Sequence, residues 1–382
     1  MKRLLIALAL LVGAGCSDLA VQPGAVQAAP PSVVQLGALI NQDPLGDPDT
    51  QVAIQLALED VNLWSDTDFS LQVVGTGSDP ARAVAGLEVL RQAGVRLVVG
   101  PETSDELASL IEPARAAGIT LISHCSTAGS LAVAGDDVFR LVPTDASQMR
   151  VVAERMQAAG ITSVALMLRD DIFGQDLSAS LKRELAARGI TLAGEVSYPP
   201  EATDLSAQLT ALEAAAGQAV ELIAFGTDGA RVLEQASARP ALRAVRWFGS
   251  DGTAISREIA TNPVAAQMAV DTGFENPVFA APQNNKTERI TARIRARSGV
   301  ETPHVCSLTS YDGVWLAALT ALARPAGPSG PALMITADNF FGASGWTELD
   351  ANGDRLSGEY QIFMLENTGS GFEWVGPVRV TI

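Results

Sequence analysis

The sequence predicts an α/β protein built as two Rossmann-like lobes, each around a parallel central sheet. Three observations carry that expectation. From Val33 onward, short continuous apolar runs alternate with amphipathic helical stretches, the pattern of strands buried on both faces by helices. Near residue 138 the alternation restarts as a second unit of similar build. The chain of 382 residues is long for one domain and comfortable for two. Its hydrophobic share of 47% supplies the cores, and with aromatics at 5% those cores must be rich in Ala, Val and Leu.

The elements follow in order. "VVQLGALI" (33–40) reads as a buried strand, and Asp47-Pro48 as a helix start with proline in the first turn, opening a helix over 50–62. "SLQVVGTG" (70–77) is a strand and 80–94 a helix ended by glycine, followed by strand 95–100, helix 104–117 and strand 119–125. In the second unit, "VFRLVP" (138–143) leads to helix 145–159, strand 163–169, helix 175–188 and strand 191–199. Helix 204–215, strand 220–226, helix 229–238 and strand 243–250 complete it. Beyond 273 come a polar helix (286–298), an apolar helix (311–323), a hairpin-like stretch (345–356) turning at Asn352-Gly353, and a strand at 359–365.

The start of the chain has a different character. Lys2-Arg3 precede an apolar run from Leu4 to Val12, then Gly13-Ala14-Gly15-Cys16. A basic region, a short apolar core and small residues describe an export signal over 1–15, too short for a membrane span. Its Gly-Cys ending resembles a bacterial lipoprotein signal, which implies lipidation of Cys16, although Gly13 stands where leucine is usual. The alternative is ordinary cleavage near Ala28 or Ala29. Residues 16–32 read as a tether. The expected location is the periplasm or cell envelope, with membrane contact through the N-terminal anchor only. The formal charge of −17 becomes −19 once Lys2 and Arg3 are removed. Such a surface repels phosphate backbones, so nucleic acid is not an expected partner.

Two α/β lobes suggest a cleft. In open α/β sheets ligands sit beyond the carboxyl ends of the strands. Ser104, Cys125, Thr127, Phe173, Thr227 and Asp251 each fall just after an expected strand, and so are candidates to face one shared cleft.

The segments "VVGPETSDELASLIEPARAAGITLIS", "FRLVPTDASQ", "DDIFGQDL", "GEVSYPPEATDLSAQLTAL", "GSDG", "SYDGVWLAAL" and "GWTELDANGD" together resemble the type I periplasmic binding proteins of the branched-chain amino-acid (Leu/Ile/Val) binding family of ABC importers. The likeness runs from Val33 to Leu365, with the segments in register. It implies two lobes joined by three crossovers with the ligand cleft between them, lobe I being 33–144 and 273–361 and lobe II 145–272 and 362–382. It implies an exported substrate-binding component that captures an amino acid or similar small polar solute and presents it to a membrane permease. No enzyme activity and no cofactor are implied. The same fold also resembles envelope lipoproteins that act through protein partners, of the peptidoglycan-synthase activator type, and ligand-sensing receptor subunits.

Residue by residue, the resemblance gives Ser104 and Thr127 to the ligand carboxylate, with a backbone group of Cys125 nearby, and Asp251 to the ammonium. A helix N-terminus suits the anion, and a carboxylate facing an ammonium makes a charge-assisted contact. The side-chain pocket falls at Gly46, Phe173, Thr227 and Cys306; only Phe173 is aromatic there, so the pocket is expected to be roomier or more polar than one for leucine. Simpler roles exist for several of these residues. Ser104 with Glu106 begins a helix, Asp251 forms a turn, and Phe173 belongs to a core. Asp145, Asp170 and Asp171 read as capping or lobe-joining groups.

Cysteine and histidine cluster twice, as His124-Cys125 and His304-Val305-Cys306. Three readings stay open: two unpaired thiols, a Cys125–Cys306 disulfide suited to an oxidising compartment, or a metal site. The spacings match no zinc pattern, so no metal is expected. A cysteine nucleophile would need a histidine in contact and an orienting third group. Gly-x-Ser-x-Gly, His-Glu-x-x-His and P-loop signatures do not occur.

Overall fold

The computed structural model describes residues 33–42, 48–323, 329–356 and 358–381. The expected signal (1–15), Cys16, the tether (16–32) and Gly46 lie outside the described residues.

The first sheet is assembled from β1 (Val34–Ile40), β2 (Phe69–Gly75), β3 (Leu97–Val99), β4 (Thr120–Ser123) and β5 (Val138–Pro143). Helices α1 (Pro48–Trp64), α2 (Pro80–Gln92) and α3 (Ser104–Ala117) connect them. All pairings among these strands are parallel. Local chemistry fixes the helix ends. Asp79 caps α2 by accepting from the Arg82 N–H, with Pro80 in its first turn. Thr103 and Glu106 form a reciprocal capping box on α3, which Gly118 closes in the left-handed conformation. Thr103, rather than Ser104, is therefore the capping residue.

The second sheet has the order β7-β6-β8-β9 and is likewise parallel. Its strands are β6 (Ser163–Arg169), β7 (Thr191–Tyr198), β8 (Ala219–Ile223) and β9 (Arg246–Gly249). Helix α4 (Asp145–Ala158) leads into it, and α5 (Ile172–Arg188), α6 (Ser206–Ala215), α7 (Gly226–Ala236) and the short α8 (Pro240–Arg243) connect its strands. Strand faces alternate between two cores: Val164, Leu166 and Leu168 pack toward α4 and α5, while Ala165 and Met167 pack against α6 and α7 residues.

After α9 (Arg257–Thr261) and α10 (Pro263–Thr272) the chain returns through β10 (Asn276–Ala280). Two helices then lie on the first unit, α11 (Asn285–Ser298) and α12 (Val305–Leu322), before α13 (Gly330–Asp338). Helix α12 begins six residues earlier than the sequence pattern suggests, because "VCSLTS" is buried all round and shows no amphipathic period. The hairpin-like stretch is also divided. β11 (Phe341–Gly342) pairs with β12 (Gly345–Trp346), while β13 (Asp354–Arg355) adds to the edge of the first sheet beside β5. The cause is a buried ion pair: both carboxylate oxygens of Asp354 accept from the Arg140 guanidinium on β5, one at 2.6 Å. The first sheet thus has the order β13-β5-β4-β3-β1-β2. The chain ends in β14 (Glu359–Asn367) and β15 (Phe372–Thr381), antiparallel to each other, with β14 antiparallel to β10.

Candidate functional site

The loop after β4 is fixed by its own small polar side chains. Ser123 Oγ donates to the Pro101 carbonyl at 2.8 Å and accepts from the Ser126 N–H at 3.2 Å. Ser104, the first residue of α3, shares a 3.0 Å hydrogen bond with Ser126 Oγ and accepts from the Ala128 N–H at 3.3 Å. From this loop the Thr127 carbonyl accepts the N–H of Asp145, the first residue of α4, at 3.0 Å. Cys125 is joined to Cys306 in the first turn of α12, Cα to Cα 5.4 Å. A second tie runs alongside, where Thr309 Oγ1 donates to the His124 carbonyl at 2.6 Å. His304 caps α12, its Nδ1 accepting from the Cys306 N–H at 3.3 Å. Its own N–H donates to Asp49 of α1 at 2.9 Å.

Asp251 reaches the same region from the end of β9. Its N–H donates to Gln148 Oε1 on α4 at 3.0 Å, and its carboxylate accepts the Gly252 N–H at 2.9 Å. Gly252 is required by close approach: a Cβ there would sit 2.5 Å from the Ala224 carbonyl oxygen and 3.1 Å from Phe173. Phe173 therefore backs the Asp251 turn. It stacks on Phe225 at 4.6 Å, and the Arg169 guanidinium lies 4.0 Å over Phe225.

These segments enclose a small cavity, with about 10 Å³ of room for the centre of a water-sized sphere, about one water. Cys125, Thr127, Asp251 and Cys306 line it, together with Gln148, His304, Val142, Pro143, Val305, Val278, Phe279 and Tyr360. Four of the candidate residues thus converge. Ser104 is buried in the loop network and Phe173 packs behind the turn, while Thr227 is exposed in the first turn of α7; none of the three lines the cavity. Gln148 could have been found from sequence, since it lies three residues after Asp145 on one helix face of "PTDASQ". Tyr360 and Phe279 could not, because the returning strands β14 and β10 bring them in.

The electrostatics of the cavity are acidic, and among the described residues neither lysine nor arginine lines it. Burial pushes the Asp251 carboxyl up to about 6, against the hydrogen bond from Gln148 and those from the backbone. Beside it, the fully buried Asp145 is raised well above the ordinary carboxyl range, chiefly by burial, with Thr127 opposing and Asp251 adding repulsion. Tyr360 is raised by burial and by the same two acids. Burial lowers His124 to about 4, with His304 contributing. While the two sulfurs are bonded, neither offers a thiolate nucleophile. The arrangement is equipped to hold a cationic group beside a compact apolar one.

The chain resembles known proteins over most of its length. An uncharacterised protein of Methanocaldococcus jannaschii is 27% identical over 331 residues, covering 80% of this chain and 78% of its own. The solved branched-chain amino-acid transporter substrate-binding protein of Streptococcus pneumoniae, in complex with isoleucine, superposes with a TM-score of 0.74 at 20% identity, covering 91% of this chain and all of that one. A solute-binding protein of an ABC transporter from R. palustris, in complex with 4-hydroxybenzoate, gives a TM-score of 0.75 at 12% identity, covering 92% and 97%. These neighbours in fold are binding proteins, and the architecture is the type I periplasmic binding protein fold. The profile described as "Receptor family ligand binding region" matches residues 49–368, more than half of the chain, and the protein belongs to that family.

Proposed function

We propose that the protein is an exported substrate-binding component of an ABC importer, capturing a small ammonium-bearing solute, an amino acid with a short side chain, in the cavity between its two sheets. The single observation that carries this is the Asp251 carboxyl at a cavity that, among the described residues, neither lysine nor arginine lines. An ammonium would supply the missing positive charge, and the deprotonated carboxylate would then form a charge-assisted pair. Thr127 and the loop backbone would meet the ligand carboxylate, with Ser104 acting through the loop it anchors. The cavity as it stands admits about one water, smaller than the roomier pocket expected from the sequence, so a solute would enter only as the two halves part. The apolar walls favour a short side chain. Lobe boundaries at 144/145, 272/273 and 361/362 would let the two halves hinge about the ligand. Export, lipid attachment through Cys16 and delivery to a membrane permease complete the reading, and fold neighbours named as transporter components support it.

The test is a thermal-shift screen of refolded, ligand-free protein against amino acids and related small acids and amines. A ligand that binds the folded state raises its stability by mass action, so small amino acids should give upward shifts. Asp251→Asn should weaken binding at least ~30-fold, the equivalent of about 2 kcal/mol for a truncated charge pair. A flat screen with well-folded protein would sink the importer reading and turn attention to protein partners.

A further inference from the structure

One wall of the cavity has chemistry that solute capture does not use. The Sγ atoms of Cys125 and Cys306 and a ring nitrogen of His304 all lie within 4.8 Å of one another. They come from two elements only: the loop after β4 supplies Cys125, and the start of α12 supplies His304 and Cys306. The tie from Thr309 to the His124 carbonyl holds those elements together without the sulfur–sulfur bond. The Asp49 carboxylate likewise holds the His304 backbone through its N–H. Neither of these two ties depends on the sulfur–sulfur bond. Cys306 is buried, Cys125 and His304 are partly exposed, and all three line the cavity.

We propose that, when the disulfide is reduced, Cys125, Cys306 and His304 form a binding site for a soft or borderline divalent ion, zinc in the first instance. Two thiolates and an imidazole are a donor set that zinc accepts, and three protein ligands leave a fourth position open. His304 would give the Nδ1 lone pair that now accepts the Cys306 N–H, so metal binding replaces that cap. The spacing in sequence gave no sign of this, because the two halves of the site stand 181 residues apart. The chemistry balances in two steps. A dithiol or phosphine reductant delivers two electrons to the sulfur–sulfur bond, and two protons complete the thiols while the reductant is oxidised. Zinc then takes both sulfurs as thiolates and the two thiol protons pass to solvent. Oxidation and metal occupancy exclude each other, so the site is gated by thiol redox state.

The experiment uses the full-length protein in oxidised form and after anaerobic reduction with a phosphine. Each sample is equilibrated with Zn²⁺, desalted and assayed for metal, and each is separately titrated with Co²⁺ as a spectroscopic probe. The reduced protein should retain one equivalent of zinc and develop thiolate-to-cobalt charge-transfer absorption; the oxidised protein should do neither. Loss of even an outer partner of a metal ligand costs about 10–100-fold in affinity, so His304→Ala should weaken zinc binding at least ~100-fold. The Cys125→Ser, Cys306→Ser double variant, which keeps Cys16, should retain none. Equal zinc in oxidised and reduced protein, or affinity unchanged in His304→Ala, would overturn the proposal. The oxidised wild type is a folded control should the double variant fail to fold. Since the readout is metal, failure here would leave solute capture standing.

Discussion

Asp251 lines the cavity with a carboxyl raised to about 6 by burial. An ammonium favours its charged form, so the bound carboxyl titrates lower than the free one. Affinity should then be independent of pH above about 7 and weaken about tenfold per unit as pH falls through 6. Calorimetric titration from pH 8 to 5 should follow that course, and Asp251→Asn should flatten it. The sequence made Asp251, Thr127 and Cys125 legible as a group because each follows an expected strand, whereas Cys306 entered only through the family resemblance, its helix being expected to start at 311. Ser104 and Phe173 illustrate the limit. Both stand at strand ends, but a serine hydroxyl can turn to a neighbouring loop and a ring can stack on Phe225; rotamer direction is set by neighbours that no local pattern encodes.

At the level of elements, β8 carries an anomaly. Glu221 is fully buried between Leu166 and Phe248 in the sheet, and its carboxylate oxygens have no hydrogen-bond partner. Burial raises its pKa well above 4.5. A carboxyl held protonated in the folded state binds more protons there than in the unfolded chain. Stability therefore falls as pH climbs from 4.5 toward the raised value, by up to about 1.4 kcal/mol per unit. Glu221→Leu should remove that slope and raise the urea midpoint at pH 8, read from denaturation curves at several pH values. Position 221 lies within an apolar run, so the sequence reads it correctly as strand and is silent on the cost. The edge strand β13 behaves differently again. Its attachment rests on the Arg140–Asp354 pair, and Asp354→Ala, which strands a buried guanidinium, should cost about 3–5 kcal/mol in chemical denaturation. The sequence showed the Asn352-Gly353 turn but not where its arms would go, since Arg140 is 214 residues away.

For the whole molecule, two hydrogen bonds tie helix α5 of the second sheet unit to the first unit. The Asp105 carboxylate of α3 accepts the Ile172 N–H of α5 at 3.2 Å, and Asp176 of α5 accepts the Ser130 N–H at 2.8 Å. Both link the two sheet units, so on the proposed hinging they would be lost as the halves part. Asp176→Ala should weaken ligand affinity about two- to tenfold, the worth of one such bond. Its effect on the melting temperature without ligand should be small, and small-angle scattering should show a more open average. Architecture at this scale was the most readable feature of the sequence, because strand and helix periods repeat over hundreds of residues. The antiparallel return of β10, β14 and β15 was less so; their faces are completed by partners on both sides of the crossover.

The Cys125–Cys306 bond also has a topological consequence. It closes a covalent ring around residues 126–305, a span that contains the entire second sheet. A single protease cut anywhere within that ring would leave both pieces of the polypeptide attached. Nicked protein should then migrate as one band without reductant and as two with it. A cut outside the ring would release its fragment under either condition, so a pair of gels can map which half of the molecule a protease has entered.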